Sequence, residues 1–181
     1  LFPDQSEPIR GLDNAAILHQ LNRDHSLDIR VLAPRPSLSM GKGYRRIREA
    51  RPREGDEVFH PVYLPVPYVP KLGSQWNDGL MKSAVRNAFE RIVSDFQPQV
   101  VLTSWLFPDG CAIAPLCEGA GIPLVLITQG SDTHQYLSDQ VRRRKILNAI
   151  DHSQSVICRS GDLARRLENA GAESEKLKVV Y

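Results

Sequence analysis

Residues 128–134 gather an amide, a glycine, hydroxyls, a carboxylate and an imidazole within seven positions: Thr128, Gln129, Gly130, Ser131, Asp132, Thr133 and His134. This is the most polar loop of the chain. Asp132 is suited to orienting a ligand hydroxyl or balancing positive charge in a transition state. Gly130 lets a ligand come close to the backbone. The plainer alternative is a helix start capped by Ser131 and Asp132, with His134 exposed. A Ser/His/Asp nucleophile would need Ser131 on a Gly-x-Ser-x-Gly elbow, and the sequence has none there.

Three other segments carry candidate chemistry. In residues 7–12, Gly11 stands at the mouth of a helix with Arg10 before it and Leu12 after it. Such a start presents backbone N–H groups and a favourable dipole to an anion, and Arg10 adds positive charge. A plain turn before a helix is the alternative. In residues 103–110, Trp105 and Phe107 offer aromatic faces for a sugar or lipid, or else simply fill core space, and Asp109 reads as a helix N-cap. After a later strand, Arg159, Ser160, Gly161 and Asp162 read as the cap of the next helix.

Lys42, Arg45, Arg46, Arg48, Arg51 and Arg53 cluster in a stretch that also holds Gly41, Gly43 and Tyr44. They suit a phosphate-bearing acceptor or peripheral contact with an anionic membrane face, or form a solvated loop. A second run, Arg142, Arg143, Arg144 and Lys145, reads as an exposed helix face.

The elements that must position these loops follow from periodicity. Helices are expected over residues 12–23, 74–96, 109–118, 138–150 and 161–170, and strands over 27–33, 100–103, 122–128, 155–158 and 177–180. The strand at 27–33 is expected to stop at Pro34 and Pro36, and residues 35–56 read as a loop. Residues 58–70 carry four prolines and can hold only a short or edge strand. Alternation of strand and helix in the second half means a parallel sheet with helices on both faces, whose ligands bind at the carboxyl ends of the strands.

With 181 residues, 41% hydrophobic and 24% charged, the chain suits one globular domain rather than a disordered or collagen-like chain. A net charge of +2 is too small to argue for nucleic acid. Cys111, Cys117 and Cys158 show no paired spacing, so neither a disulfide framework nor a zinc site is expected, and the thiols read as small buried hydrophobes. No apolar run is long enough to span a membrane. Leu1, Phe2 and Pro3 read as the end of a strand, and the run 176–181 stops abruptly.

Several pieces, in this order, resemble family 4 glycosyltransferases. They are Pro8, Ile9, Arg10 and Gly11; then Trp105 with Pro108, Asp109 and Gly110. Gly121, Ile122 and Pro123 follow, leading to Gln129, Gly130, Ser131 and Asp132; last come residues 155–160 with Leu163. The resemblance covers nearly the whole chain and implies a Rossmann-like α/β domain over residues 1–181, the amino-terminal lobe of a GT-B fold. It implies a retaining enzyme without bound metal or cofactor, in which this lobe holds a glycan or lipid-linked acceptor. A carboxy-terminal lobe, absent here, would hold the nucleotide-sugar donor. The expected place is cytoplasmic, at the inner face of the membrane, and the product a cell-surface or lipid-linked glycan.

On that resemblance Asp132 and Gln129 are the catalytic candidates. Arg10, Gly11 and Leu12 would lie near the donor diphosphate, and Gly130 and Ser131 near the transferred sugar. Trp105, Asp109, His134, Arg45 and Arg46 would face the acceptor. Many relatives carry His where this chain has Gln129, which bonds a hydroxyl but carries no switchable charge. This chain alone is expected to be inactive. Other readings are a non-catalytic acceptor-binding or membrane-facing subunit completed by a partner, and an unrelated α/β binding protein or hydrolase.

Overall fold

Proline placement decides the first sheet. A computed structural model describes residues 1–23, 27–37 and 42–180, which form two compact units, Leu1–Tyr68 and Val69–Tyr181. Gly41, read as part of the basic stretch, and Tyr181, the end of the last strand-like run, lie outside the described residues.

The first unit holds helix α1 (Leu12–Asn22), strand β1 (Leu32–Ser37), helix α2 (Lys42–Arg48) and strand β2 (Val62–Pro67). β1 and β2 pair in parallel, with Ala33 opposite Tyr63 and Arg35 opposite Pro65. The strand expected over 27–33 therefore lies later, and Pro34 and Pro36 sit inside it instead of ending it. The register explains this. Tyr68 N–H donates to Ser37 C=O, so alternate residues face the ladder: Ala33, Arg35 and Ser37 on one strand, Leu64 and Val66 on the other. All four strand prolines occupy the positions between and remove no ladder bond.

Residues 35–56 are not one loop either. Arg35 is a buried strand residue, and Arg45, Arg46 and Arg48 ride on α2, which Ile47 anchors in the core. That core joins Phe2, Ala15, Val31, Ala33, Ile47, Phe59 and Tyr63, with Phe2 and Phe59 edge to face at 6.0 Å.

The second unit holds α3 (Asn77–Phe96), β3 (Val101–Ser104), α4 (Cys111–Ala120), β4 (Leu124–Ile127), the single turn α5 (Ser131–His134), α6 (Gln140–Asp151), β5 (Ser155–Cys158), α7 (Gly161–Ala170) and β6 (Leu177–Val179). Its strands run in the order β3-β4-β5-β6, all parallel. The architecture is α/β and Rossmann-like, parallel sheets with helices on both faces, as in one lobe of a GT-B fold. Met81, Val85 and Phe89 are the buried stripe of α3. The inner strand β4 buries Leu124, Leu126 and Ile127. β3 ends the order, and Leu102 remains 40% exposed, so the expected buried strand is buried chiefly at Thr103.

Helix ends differ from expectation where loops intervene. α4 starts at Cys111, because residues Leu106–Gly110 form a wide turn closed by the Gly110 N–H donating to Trp105 C=O at 2.9 Å. Asp109 lies within that turn and does not cap the helix. Asp139 caps α6 through the N–H groups of Val141 and Arg142, and Ser160 caps α7 through that of Leu163.

The run at 142–145 is exposed at Arg143 and Arg144, as expected of a helix face, but three of its side chains are also tied to neighbouring elements. The Arg142 guanidinium stacks on aromatic rings, Arg143 donates to Ala170 C=O at 2.7 Å, and Lys145 Nζ meets the Asp78 carboxylate at 2.7 Å. Their long stems and fixed donors serve packing between elements. Cys117 and Cys158 are buried, and burial pushes both thiols up to about 11. Among the described residues, no helix is long and apolar enough to cross a membrane.

Candidate functional site

In the second unit a single amide spans three strand ends. Gln129, just past β4, donates from Nε2 to Ser104 Oγ at the end of β3 at 2.5 Å. Its Oε1 accepts from Arg159 Nη1, just past β5, at 2.7 Å. The Arg159 backbone N–H also donates to Thr128 Oγ1 at 3.3 Å. The loops after β3, β4 and β5 are thus linked at the carboxyl rim of the sheet, where ligands of open α/β sheets bind.

Asp132 organises the same rim from inside. It is 0% exposed. Its carboxylate accepts the N–H of Gly130 at 2.9 Å, of Gln129 at 3.1 Å and of Leu106 at 3.0 Å. All three donors precede it in the chain, so it does not cap α5 in the manner of an N-cap residue. Burial pushes its pKa upward, against the pull of the N–H groups of Leu106, Gln129 and Gly130. Ser131 is half-buried at the start of α5, and Thr133 Oγ1 donates to Gly130 C=O at 2.8 Å. Gly130 has φ +102°, and a Cβ built there would meet nothing within 4 Å. Glycine is needed for the backbone angle, and the space in front of it is open.

The Leu106 N–H matters because of its neighbour. Trp105 has φ +78° and ψ 126°, a conformation that costs a side-chain-bearing residue about 1–3 kcal/mol. Its N–H donates to Ile127 C=O at 3.0 Å, and its C=O accepts from Gly110 at 2.9 Å. With Leu106 held by Asp132, the strained peptide is fixed on both sides. Asp109, half-buried in the following turn, has its pKa raised to about 6 by burial, with the Asp132 carboxylate adding to the rise. Phe107 meets the Tyr136 ring edge to face at 5.7 Å, and the Arg142 guanidinium lies 4.7 Å from the Tyr136 centroid. His134 makes its contact elsewhere. It is exposed, and its Nε2 lies 3.9 Å from the Asp162 carboxylate on α7.

In the first unit, Glu7 is the hub. Its carboxylate accepts from Arg10 at 2.9 Å, Arg46 at 2.5 Å and Arg35 at 3.3 Å. The Arg10 hydrogen bond above all holds the Glu7 pKa below the usual range. Much of the charge assigned to Arg10 is therefore balanced within its own loop. Gly11 is the αL residue that opens α1, at φ +77°. A Cβ there would stand 2.7 Å from Leu1 C=O, so its glycine requirement is explained by the chain's own backbone. Leu12 is exposed at the first turn of α1. Arg45 pairs with Glu49 at 2.8 Å. Arg45 and Arg46, with Gln5, Ser6, Glu49, Ala50 and Arg51, line a cleft of about 370 Å³.

Residues 18–181 match the family described as Glycosyltransferase Family 4. The chain belongs to that family. A relative from Bacillus subtilis (strain 168), "Putative teichuronic acid biosynthesis glycosyltransferase TuaC", is 30% identical over 145 residues, 75% of this chain and 36% of the relative. Anabaena HepE in complex with UDP and glucose superposes with a TM-score of 0.52 at 18% identity, over 84% of this chain and 44% of that one. Its complex with UDP-glucose gives 0.51 at 18% identity, over 84% and 43%. These structural likenesses show the fold. The chain spans 36% of the length of the curated relative and under half of the solved chains.

For this family 4 chain, sequence reading assigned Glu7, Arg35 and Ser104 no role of their own and read Arg159 only as part of a helix cap. Arg159 had a usable signal, since it follows a strand at the same rim as Gln129. Glu7 and Arg35 had none, because their partners are set by folding: Arg35 is buried against Asp4, donates to Phe2 C=O at 2.7 Å and lies 5.0 Å over the Tyr63 ring.

Proposed function

We propose that the full-length protein transfers a sugar, with retention, from a nucleotide-sugar donor to a glycan or lipid-linked acceptor, and that this chain forms the acceptor-side half. Family membership supports the transferase chemistry. The observation that carries the local reading is the bridge of half-buried Ser104 and Gln129 to exposed Arg159, in a loop whose backbone is held by the buried Asp132 carboxylate. A cation-like sugar and a departing diphosphate need fixed dipoles and charges, because donors already in place need no reorganisation during reaction. Asp132 acts here as a positioning residue that sets the Gln129–Gly130 backbone. Gln129 presents an amide to a sugar hydroxyl. Arg159 supplies a guanidinium charge with a planar donor fork. The open face of Gly130 gives the sugar room.

The test is a nucleotide-sugar panel on the full-length protein, with product detected by mass spectrometry. Arg159→Ala is expected to lower kcat/KM about ten-fold, the loss of one charge-assisted contact, while the melting temperature stays near wild type. Unchanged kinetics would remove Arg159 from the site. No transfer from any donor would remove the transferase reading, and robust turnover by residues 1–181 alone would refute the half-site.

A further inference from the structure

We propose that the cleft between residues 5–6 and the end of α2 binds an anionic group of the acceptor, a carboxylate or a phosphate; this rests on the acceptor-side reading above. The cleft has two walls joined by backbone, since the Gln5 N–H donates to Arg51 C=O at 3.0 Å. Arg45, Arg46 and Arg51 line it with Glu49, and with the Glu7 carboxylate that pairs with Arg46 the three guanidinium groups face two carboxylates. Its volume, about 370 Å³, is that of a small-molecule subsite.

Two of the guanidinium groups are pre-positioned. Arg45 Nε is held by Glu49 at 2.8 Å, and Arg46 by Ser6 Oγ at 3.3 Å and Glu7 at 2.5 Å. Each engages part of its donor fork in these bonds. The exposed Arg51 side chain makes no hydrogen bond or ion pair among the described residues. A helix C-terminus attracts cations, but its dipole amounts to only about half a charge. That does not account for three guanidinium groups around one hollow. Planar forks match carboxylate and phosphate oxygens two at a time. The exposed Gln5 amide adds a neutral partner for a sugar bearing that anion.

The experiment titrates full-length protein with methyl β-D-glucuronide, with its uncharged methyl ester and with geranyl phosphate, each against wild type, Arg51→Ala and Arg45→Ala. The readout is the Arg51-dependent part of binding, which separates this cleft from any donor site. At least one anion is expected to bind, with Arg51→Ala weakening it about five-fold, as for one solvent-facing charge contact. The ester is expected to bind no better than to the variant. A preference for the glucuronide identifies a glycan carboxylate; a preference for geranyl phosphate identifies a phosphate-bearing acceptor. Failure of both anions, equal binding of acid and ester, or equal binding to wild type and both variants overturns the proposal. Nucleotide-sugar turnover is followed in the same samples. Its absence with anion binding intact refutes the transferase reading alone, and its presence without Arg51-dependent binding refutes the cleft alone.

Discussion

The Asp132 carboxylate accepts the Leu106 N–H at 3.0 Å across 26 positions of sequence. One buried side chain thereby couples the loop after β4 to the strained turn after β3. Trp105 at φ +78° is in a costly conformation, and that bond together with the Trp105 N–H to Ile127 C=O bond ties the chain on both sides of it.

Replacing Asp132 should therefore cost stability before it costs chemistry. Asp132→Ala leaves the N–H groups of Leu106, Gln129 and Gly130 without acceptors and should destabilise by about 2–4 kcal/mol; Asp132→Asn, which keeps one acceptor oxygen, should cost about 1–2 kcal/mol. Urea denaturation of both variants checks the order. Two wild-type curves would show that the carboxylate does not hold the loops.

Asp109 gives a pH dependence of opposite sign to that of an ion-paired carboxylate. Its folded pKa is about 6 against an ordinary 3.8. Between those values the folded chain keeps a proton that the unfolded chain has lost, so this group's contribution falls as pH rises and levels off above about 6. Asp109→Asn should match wild type near pH 3.5 and exceed it at pH 7.5 by about 1–2 kcal/mol, allowing for solvent screening. Melting temperatures at the two pH values decide it.

Two glycines should respond differently to alanine. At Gly11 an added Cβ meets the Leu1 carbonyl at 2.7 Å in addition to the strain of φ +77°, whereas at Gly130 only the backbone angle of +102° objects. Gly11→Ala should lose about 2 kcal/mol and Gly130→Ala about 1 kcal/mol, both without any ligand present. Gly11 is thus a poor probe of an anion site, because thermal melting should register its loss first.

Arg35 and Asp4 form a buried ion pair, each almost wholly inaccessible. Arg35→Met should destabilise by about 3–5 kcal/mol by leaving Asp4 buried and unpaired. Burial would raise the Asp4 pKa, but the Ser6 hydroxyl, the Glu7 N–H and Arg35 together hold it below its usual value. Its stabilising contribution is therefore present above pH 3.8 and lost as pH falls through the lower folded value. An acid titration of Asp4→Asn against wild type should show the gap between them closing there.

Much of the architecture was legible because it depends on local chemistry. Period-3.6 apolar spacing marked α1, α3 and α6, the closing Gly171 marked the end of α7, the continuous apolar run marked β4, and the loops after strands marked the rim. The strand at β1 was misplaced because proline was read as a breaker. Whether a proline breaks a strand depends on which edge its nitrogen faces, and that needs the register with β2.

The types of residue at the rim, and the order of the pieces that resemble family 4, were determined by the amino-acid sequence alone. Tertiary structure decided what each side chain is free to do. It turned Asp132 inward onto backbone N–H groups, set Glu7 against Arg10, Arg35 and Arg46, and joined Gln129 to Ser104 and Arg159 across 25 and 30 positions. Hydrogen-bond partners that distant are chosen by packing and strand order, and burial sets the cost of each charge, so neither can be read from local spacing.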